Sequence, residues 1–256
     1  TPLHATNERG MRRVEERTRD LASANRELEA FTYTASHDLR SPLRHMNAFS
    51  DILLDDYGDR LDDDGRDFLR RIKSASQEMN SLLEALLKLS RIHRAELTFM
   101  DVDITGISER LVEQLRPAAR PDVEITVEKG MTAWGDPNLV QLLLQNLIEN
   151  ALKYSRDTPS PTVMISSKRD GDGHLWIQVK DNGAGFDMEF VDKLFTPFQR
   201  LHSKTEFPGT GVGLASAARI VARHGGQIEA VGATGKGATF RFTLASKPSQ
   251  HKHDQE

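Results

Sequence analysis

Apolar side chains recur along the first part of the chain at steps that alternate between four and three residues. The stripe runs through Val14, Leu21, Leu28, Ala35, Leu39, Pro42, Met46, Phe49 and Leu53. The intervening core positions of its first half are taken by Thr18, Asn25 and Thr32. This spacing is typical of a coiled-coil seam, and polar core residues weaken such a seam. The pattern therefore predicts a long amphipathic helix that begins as a weak coiled coil.

A turn and a second stripe follow. Residues 55–65, DDYGDRLDDDG, combine two glycines with a cluster of aspartates, which indicates a turn. The same steps then resume at Phe68, Ile72, Ala75, Met79, Leu82, Leu86, Leu89 and His93. Two amphipathic helices joined by a short turn form an antiparallel hairpin. Because two helices alone bury one seam and leave little core, we expect a homodimer that closes a four-helix bundle.

The pattern changes after residue 96 to short apolar runs mixed with helical periodicity. Strands are predicted at 101–105, 123–128, 162–168, 174–180, 227–231 and 238–244, and helices at 106–116, 137–153, 188–194 and 213–224. Helices and several strands without strict alternation favour an α+β fold, here an α/β sandwich. The predicted organisation is a coiled-coil linker (1–27), a helical hairpin (28–97), the sandwich domain (98–246) and a polar tail (247–256).

Composition narrows the classes of function. The 256 residues include no Cys, which excludes disulfides, thiolate metal sites and Cys nucleophiles and fits a reducing compartment. A net charge of −4 offers no basic surplus for nucleic acid or for an anionic membrane. No run of 18 apolar residues occurs, so we expect neither a transmembrane helix nor direct membrane contact. The start at Thr1 suggests a piece cut from a longer protein, cytoplasmic as a fragment.

The first candidate site is His37, in the run SHDLRSP. His37 lies two residues from the core positions Ala35 and Leu39, about 200° around the helix, so it points away from the seam. Asp38 is adjacent and could orient the imidazole or draw its proton. Pro42 removes a helical hydrogen bond one turn later and favours bending there. An ordinary surface histidine, and a proline that simply ends the helix, are the plainer alternatives; the unbroken stripe to Leu53 argues against the latter.

A second candidate lies on the helix predicted at 137–153, where Asp136 is the expected N-cap. In the run NLIENALKY, Asn146, Asn150, Lys153 and Tyr154 fall on one face. Amides are costly to bury without partners, and an amide oxygen can ligate Mg²⁺ while a lysine reaches a phosphate. Taken alone, this face is better explained as a solvated helix edge.

Two glycine-rich runs complete the candidates. DNGAGF places Asp181, Gly183 and Gly185 directly after a predicted strand, where Asp181 could accept a hydrogen bond from an exocyclic amine. GTGVGLA places Gly209, Gly211 and Gly213 at the start of a predicted helix, whose N-terminus favours phosphate. Its G-x-G-x-G spacing is neither the dinucleotide fingerprint nor a P-loop. The long connection between the two runs is of the kind that serves as a lid.

Taken in order along the chain, these motifs resemble the sensor histidine kinases of two-component signalling. SHDLRSP resembles that family's H box, NLIENALKY its N box, DNGAGF and GTGVGLA its two glycine boxes, and LFTPF (194–198) its phenylalanine box. The resemblance covers about residues 20–245. The stretch FTYTASHDLRSPLR further resembles the kinases fused to bacterial phytochrome or PAS sensors.

The resemblance implies a dimeric phosphotransfer bundle followed by a Bergerat-type ATP-binding domain, with ATP and Mg²⁺ bound. His37 is implied as the phosphoacceptor and Asp38 as its polarising partner. Asn150 is implied as the Mg²⁺ ligand, Lys153 as a phosphate contact and Asp181 as the reader of the adenine amine. The full implied nucleotide-binding set is Asn146, Asn150, Lys153, Tyr154, Asp181, Gly183, Gly185, Phe195, Gly209, Gly211, Gly213 and Leu214.

The resemblance also implies partners. These are a second copy of the chain, a response regulator that receives the phosphoryl group on an Asp, and a sensor upstream of this chain. Family members that also dephosphorylate the regulator usually carry Thr or Asn four residues after the histidine, where this chain has Ser41. Two other interpretations are a gyrase-type ATPase without phosphotransfer and a catalytically silent dimeric scaffold. The outward-facing His37 argues against the first, and intact glycine and asparagine motifs argue against the second.

Overall fold

The computed structural model describes residues 34–94, 96–116, 119–203 and 206–247. The predicted coiled-coil linker and the polar tail beyond Lys247 lie outside the described residues. The chain divides into two compact units, Thr1–Arg91 and Ile92–Glu256. The first is helical and the second combines helices with β-sheet, which confirms the predicted α+β class.

The first unit contains the predicted helical hairpin. Helix α1 covers residues 34–57 and continues without a break through Pro42. A short 3-10 turn, Gly58–Arg60, leads to helix α2, Asp63–Arg94. The Asp62 carboxylate accepts a hydrogen bond from the Gly65 backbone nitrogen at 2.7 Å and so supports the first turn of α2. Ser76 Oγ donates to the Leu43 carbonyl at 2.9 Å, and Lys73 pairs with Asp51, so the two helices are antiparallel.

Most large side chains of the apolar stripe are exposed and do not lie between these two helices, which corrects the stripe's expected role as the hairpin seam; Leu89, near its end, is buried. The hairpin instead buries small and leucine side chains, namely Ser36, Leu43, Ser50, Ser76, Leu83 and Leu87. Serine lets the helix backbones approach closely, as the bond from Ser76 to Leu43 shows. The larger apolar side chains of the stripe are exposed at 41% or more, namely Leu39, Met46, Phe49, Leu53, Phe68, Ile72 and Met79. In a single chain, this face of the hairpin is uncovered.

The second unit is a two-layer sandwich with the following elements. The strands are β1 (Met100–Asp103), β2 (Glu124–Val127), β3 (Thr132–Gly135), β4 (Thr162–Arg169), β5 (Leu175–Asp181), β6 (Ile228–Gly232) and β7 (Ala238–Phe242). The helices are α3 (Ile104–Leu115), α4 (Pro137–Tyr154) and α5 (Gly213–Arg223), with a 3-10 helix at Met188–Lys193. Six strands and three α-helices agree with the sequence prediction within a few residues. Strand β3 was not predicted, and the segment predicted as a helix at 188–194 is 3-10 rather than α-helical.

The main sheet has the strand order β2-β4-β5-β7-β6, parallel between β2 and β4 and antiparallel elsewhere, while β1 and β3 form a separate antiparallel pair. Alternate residues of the central strands face the helices. In β4, Val163 and Ile165 are buried while Met164 between them is 46% exposed. Leu143 and Leu147 of α4 are fully buried in this core. The tight packing fixes α4 against β5, whose end carries Asp181.

Candidate functional site

His37 and Asp38 form an exposed pair on α1. Their side chains are 72% and 71% accessible, and His37 Nδ1 lies 3.3 Å from Asp38 Oδ1. When Nδ1 carries the proton and donates to this carboxylate, the lone pair of Nε2 is free toward solvent. The outward position of His37 thus agrees with the helical spacing. Ser41 is also exposed, one turn further along the same helix.

The position of α4 is set at its first turn. Asp136 Oδ1 accepts from the backbone nitrogens of Asn138 and Leu139, both at 3.0 Å, which confirms the predicted N-cap. The Asp136 backbone nitrogen donates to Nε2 of the buried His224 at 2.9 Å. The other Asp136 oxygen accepts from the Thr98 nitrogen at 3.0 Å. These bonds hold the start of α4 against the end of α5 and the segment before β1.

The polar face of α4 meets the second glycine run. A Cβ atom at Gly213 would lie 3.6 Å from Asn146 Oδ1 and 3.9 Å from Asn150 Nδ2, so the start of α5 adjoins both amides. Asn146 is only 5% exposed, and its Nδ2 has no hydrogen-bond partner. A Cβ at Gly209 would lie 3.4 Å from Lys153 Nζ. A buried amide without a partner, a lysine and a helix N-terminus are therefore concentrated at one place, which suits an anion and a hard cation.

Asp181 ends β5 and is only 3% exposed. Its Oδ1 accepts from the Gly183 nitrogen at 2.8 Å and from the Ala238 nitrogen at 3.3 Å. Burial raises the pKa of Asp181 to about 6, and the two backbone hydrogen bonds oppose that rise. A carboxylate kept in so buried a place is suited to accept a hydrogen bond from a bound amine.

The first glycine run is docked directly against the end of α4. The Ala184 nitrogen donates to the Tyr154 carbonyl at 2.9 Å, and a Cβ at Gly183 would lie 2.3 Å from that same oxygen. Gly185 has φ +61°, and a Cβ there would lie 2.0 Å from the Ala233 carbonyl oxygen. Only glycine fits either position without a shift of the backbone.

Two further predicted residues contribute mainly to packing. Phe195 and Leu214 are partly buried against the hydrophobic core of the second unit. Gly211 has φ +75°, and its carbonyl accepts from the Phe198 nitrogen at 3.0 Å, which joins the phenylalanine run to the second glycine run.

Sequence reasoning missed the residues that hold the long connection in place. The rings of His202 and Phe207 lie 5.3 Å and 4.9 Å from the ring of Tyr154, with Lys153 Nζ 4.1 Å from the same ring. Arg200 Nη1 donates to the Gly209 carbonyl at 2.8 Å, and Arg156 Nη2 donates to the Glu206 carbonyl at 3.0 Å. Nothing in their spacing marks these residues, because a histidine or arginine in a polar loop is ordinary.

Comparison with known protein families gives two matches, one in each part of the chain. Residues 27–95 match the family of His Kinase A (phospho-acceptor) domains. Residues 135–248 match the family of histidine kinase-, DNA gyrase B- and HSP90-like ATPases. Both families therefore occur in the order that the motifs predict.

Several characterised proteins resemble the chain over most of its length. Cyanobacterial phytochrome B of Nostoc sp. is 35% identical over 88% of this chain and 30% of its own. Sensor-like histidine kinase SenX3 of Mycolicibacterium smegmatis is 30% identical over 88% of this chain and 59% of its own. The crystal structure of full-length ShkA in complex with AMPPNP matches with a TM-score of 0.59 and 25% identity, over 85% of this chain and 46% of its own.

The two matches together give the chain the core of a sensor histidine kinase, a phosphoacceptor domain followed by an ATPase-type domain. It spans about 30% of the length of the cyanobacterial phytochromes that it matches. Within the part of the chain that the structure describes, no helix is both long and apolar enough to cross a membrane.

Proposed function

We propose that the chain phosphorylates His37 from ATP and passes the phosphoryl group to an Asp of a response regulator. The proposal rests on the exposed pair of His37 and Asp38 in the phosphoacceptor unit. The other unit has a cluster of residues suited to bind a nucleotide. A nucleophile for phosphoryl transfer must be accessible to the phosphoryl donor, and the 72% accessible His37 side chain meets that requirement.

ATP is expected to bind between the two glycine runs. Its adenine amine would donate to Asp181. Burial disfavours the charged form of this carboxylate when it has no partner, so a donor on the ligand would stabilise it. Its phosphates would lie near Lys153 and the N-terminus of α5 at Gly213, where backbone N–H groups and the helix dipole favour anions. The AMPPNP complex of ShkA supports this use of the fold. Tyr154 would line the pocket beside Gly183 and Gly185.

Mg²⁺ fits the amides of α4. Asn150 would hold the ion through its side-chain oxygen. Asn146 would support the metal through its own side-chain oxygen and the phosphates through its buried Nδ2, a donor that has no partner. Bound there, the ion would neutralise charge on the transferring phosphate.

The proposed chemistry starts from neutral His37. The Nε2 lone pair forms the nitrogen–phosphorus bond, while the phosphorus–oxygen bond to ADP breaks and ADP leaves with that electron pair. Asp38 stabilises the positive imidazolium through Nδ1–H, and the Nδ1 proton is then released to solvent. In the second step an Asp oxygen of the regulator bonds to phosphorus as the nitrogen–phosphorus bond breaks. His37 leaves with that electron pair and takes up a proton from solvent, which restores the neutral imidazole.

Each part of the chain has a role in this reaction. Two copies of the hairpin (28–97) form the dimeric bundle, and the linker (1–27) conveys the state of an upstream sensor to it. The sandwich domain (98–246) binds ATP and presents its γ-phosphate to His37. Ser41 would position water if the chain also dephosphorylates its regulator. We assign the chain to the cytoplasm, where ATP is available.

The test is incubation of the chain and of His37→Gln with γ-labelled ATP and Mg²⁺. We expect a label on the native chain that is acid-labile, base-stable and absent from the variant. Turnover of ATP without any label would support an ATPase instead. A label retained by His37→Gln would move the acceptor to another residue.

A further inference from the structure

His202 joins two parts of the nucleotide site that are distant in sequence. Its Nε2 lies 2.9 Å from the carbonyl oxygen of Gly185, in the first glycine run. Its ring packs at 5.3 Å from the rings of both Tyr154 and Phe207. We call Tyr154, His202 and Phe207 the aromatic clasp. The clasp therefore connects the end of α4, the long connection and the loop that follows Asp181.

The hydrogen bond from His202 has one possible direction. A carbonyl oxygen only accepts, so Nε2 must carry a hydrogen and donate it. The neutral Nε2–H tautomer and the imidazolium both provide that hydrogen, so the bond survives protonation of the ring. The acceptor is rigid as well, because Gly185 is confined by its positive φ and by the nearby Ala233 carbonyl.

Other residues anchor the part of the long connection that lies beside His202 and Phe207, which we call the clasp segment. Arg156, two residues after α4 ends, reaches the Glu206 carbonyl, and Arg200 reaches the carbonyls of Gly209 and Phe207. Gly209 in turn adjoins Lys153. The segment is thus tied at one side to the expected adenine loop and at the other to the expected phosphate contact. His202 reaches the adenine side through its contact with the Gly185 carbonyl.

We propose that His202 is a positioning residue. Through its hydrogen bond to Gly185 it fixes the clasp segment to the expected adenine-binding loop after Asp181, and so it sets the affinity for nucleotide. The inference rests on the proposed function. A segment that is ordered before the ligand arrives loses less conformational freedom on binding, which raises affinity. Because His202 donates to backbone and not to reacting atoms, it acts on binding rather than on the phosphoryl-transfer step.

The test compares His202→Gln with His202→Met. Both side chains lack the ring and have similar size, but only Gln can donate to the Gly185 carbonyl. Calorimetric titration with AMPPNP and Mg²⁺ should give a Kd about tenfold higher for the Met variant than for the Gln variant, the size expected for one hydrogen bond. Labelling of His37 at saturating ATP should differ less than about threefold between the two.

Controls separate this inference from the proposed function. His174→Met alters an exposed histidine at the other end of β5 and should leave the Kd unchanged. His202→Phe keeps a ring without the donor, should bind as weakly as the Met variant, and replaces that variant if it does not fold. Equal Kd values for the Gln variant and for the folded donor-free variants would overturn the role of His202. A native chain that binds no AMPPNP would overturn the proposed function itself.

Discussion

Asp181 shows how a binding site is made at the expense of stability. The buried carboxylate has a pKa of about 6, against an ordinary value of 3.8. Because the folded pKa lies above the unfolded one, this group stabilises the fold fully below pH 4 and loses that contribution as pH rises through 6. The shift corresponds to about 3 kcal/mol at neutral pH.

We therefore expect Asp181→Asn to be more stable than the native chain near neutral pH, by up to about 3 kcal/mol, while binding ATP poorly. The amide oxygen can still accept from Gly183 and Ala238, so the loop keeps its bonds. Urea unfolding at neutral pH and again near pH 4 measures the difference, which should shrink at the lower pH. A difference between variant and native chain that is the same at both pH values would contradict this account.

Individual residues differ in how far the sequence reveals them. Asp181, Asn146 and the glycines lie in short motifs. In the structure Gly183 adjoins the Tyr154 backbone, and Gly213 adjoins the side-chain amides of Asn146 and Asn150. His202 lies in no such motif. Its role depends on a contact with Gly185 across 17 residues, and only the folded chain creates that contact.

The junction of α4 with the loop after β5 illustrates how closely the elements of the site are packed. Gly183 needs no unusual backbone angle, but a Cβ there would lie 2.3 Å from the Tyr154 carbonyl oxygen and 2.8 Å from the Ser155 nitrogen. Both neighbours are backbone atoms near the end of a helix fixed by its buried face. The loop or the helix end would have to move to accept any side chain.

We expect Gly183→Ala to destabilise the second unit by about 2–3 kcal/mol and to weaken ATP binding, because overpacking against backbone is poorly relieved. Gly171→Ala is the matched control, since a Cβ there meets nothing within 4 Å. That control should change stability by less than about 1 kcal/mol. Denaturant titration of both variants makes the comparison. Equal stability of the two variants would mean that the loop yields easily.

Elements were predictable where periodicity was strong. The second helical stripe, the part of the first stripe from Ala35 onward and the central strands have clear patterns, and these form the predicted helices and strands. Strand β3 has only four residues, with Ala133 and Trp134 half-buried, so no alternation marks it. The stripe on the hairpin was identified correctly as apolar, yet its partner surface was not. A heptad pattern states which side chains avoid water and does not state which helix covers them.

The hairpin leaves an apolar face exposed, and a partner surface must cover it in the assembled molecule. Phe49 is 63% exposed and Ile72 is 43% exposed, on helices α1 and α2 respectively. The contact between these helices is instead made through Ser36, Ser50 and Ser76 and a few leucines. Large uncovered apolar surface is unfavourable in water and marks an interaction site. Since residues 27–95 match the His Kinase A (phospho-acceptor) domains, a second copy is the partner that we expect.

Phe49→Glu combined with Ile72→Glu should therefore convert a dimer to a monomer. Burying an unpaired carboxylate costs several kcal/mol, which raises the dissociation constant by at least about 100-fold. Sedimentation of the native chain and the variant over a range of concentrations measures it. Met164→Glu is the control, because Met164 is 46% exposed on the sheet of the second unit and should leave the dimer intact. The monomer should still bind AMPPNP, because the residues of that site all belong to the second unit and its separate core. A variant that remains dimeric would show that the copies meet through another surface, and loss of nucleotide binding with dimer dissociation would show that the two units depend on each other.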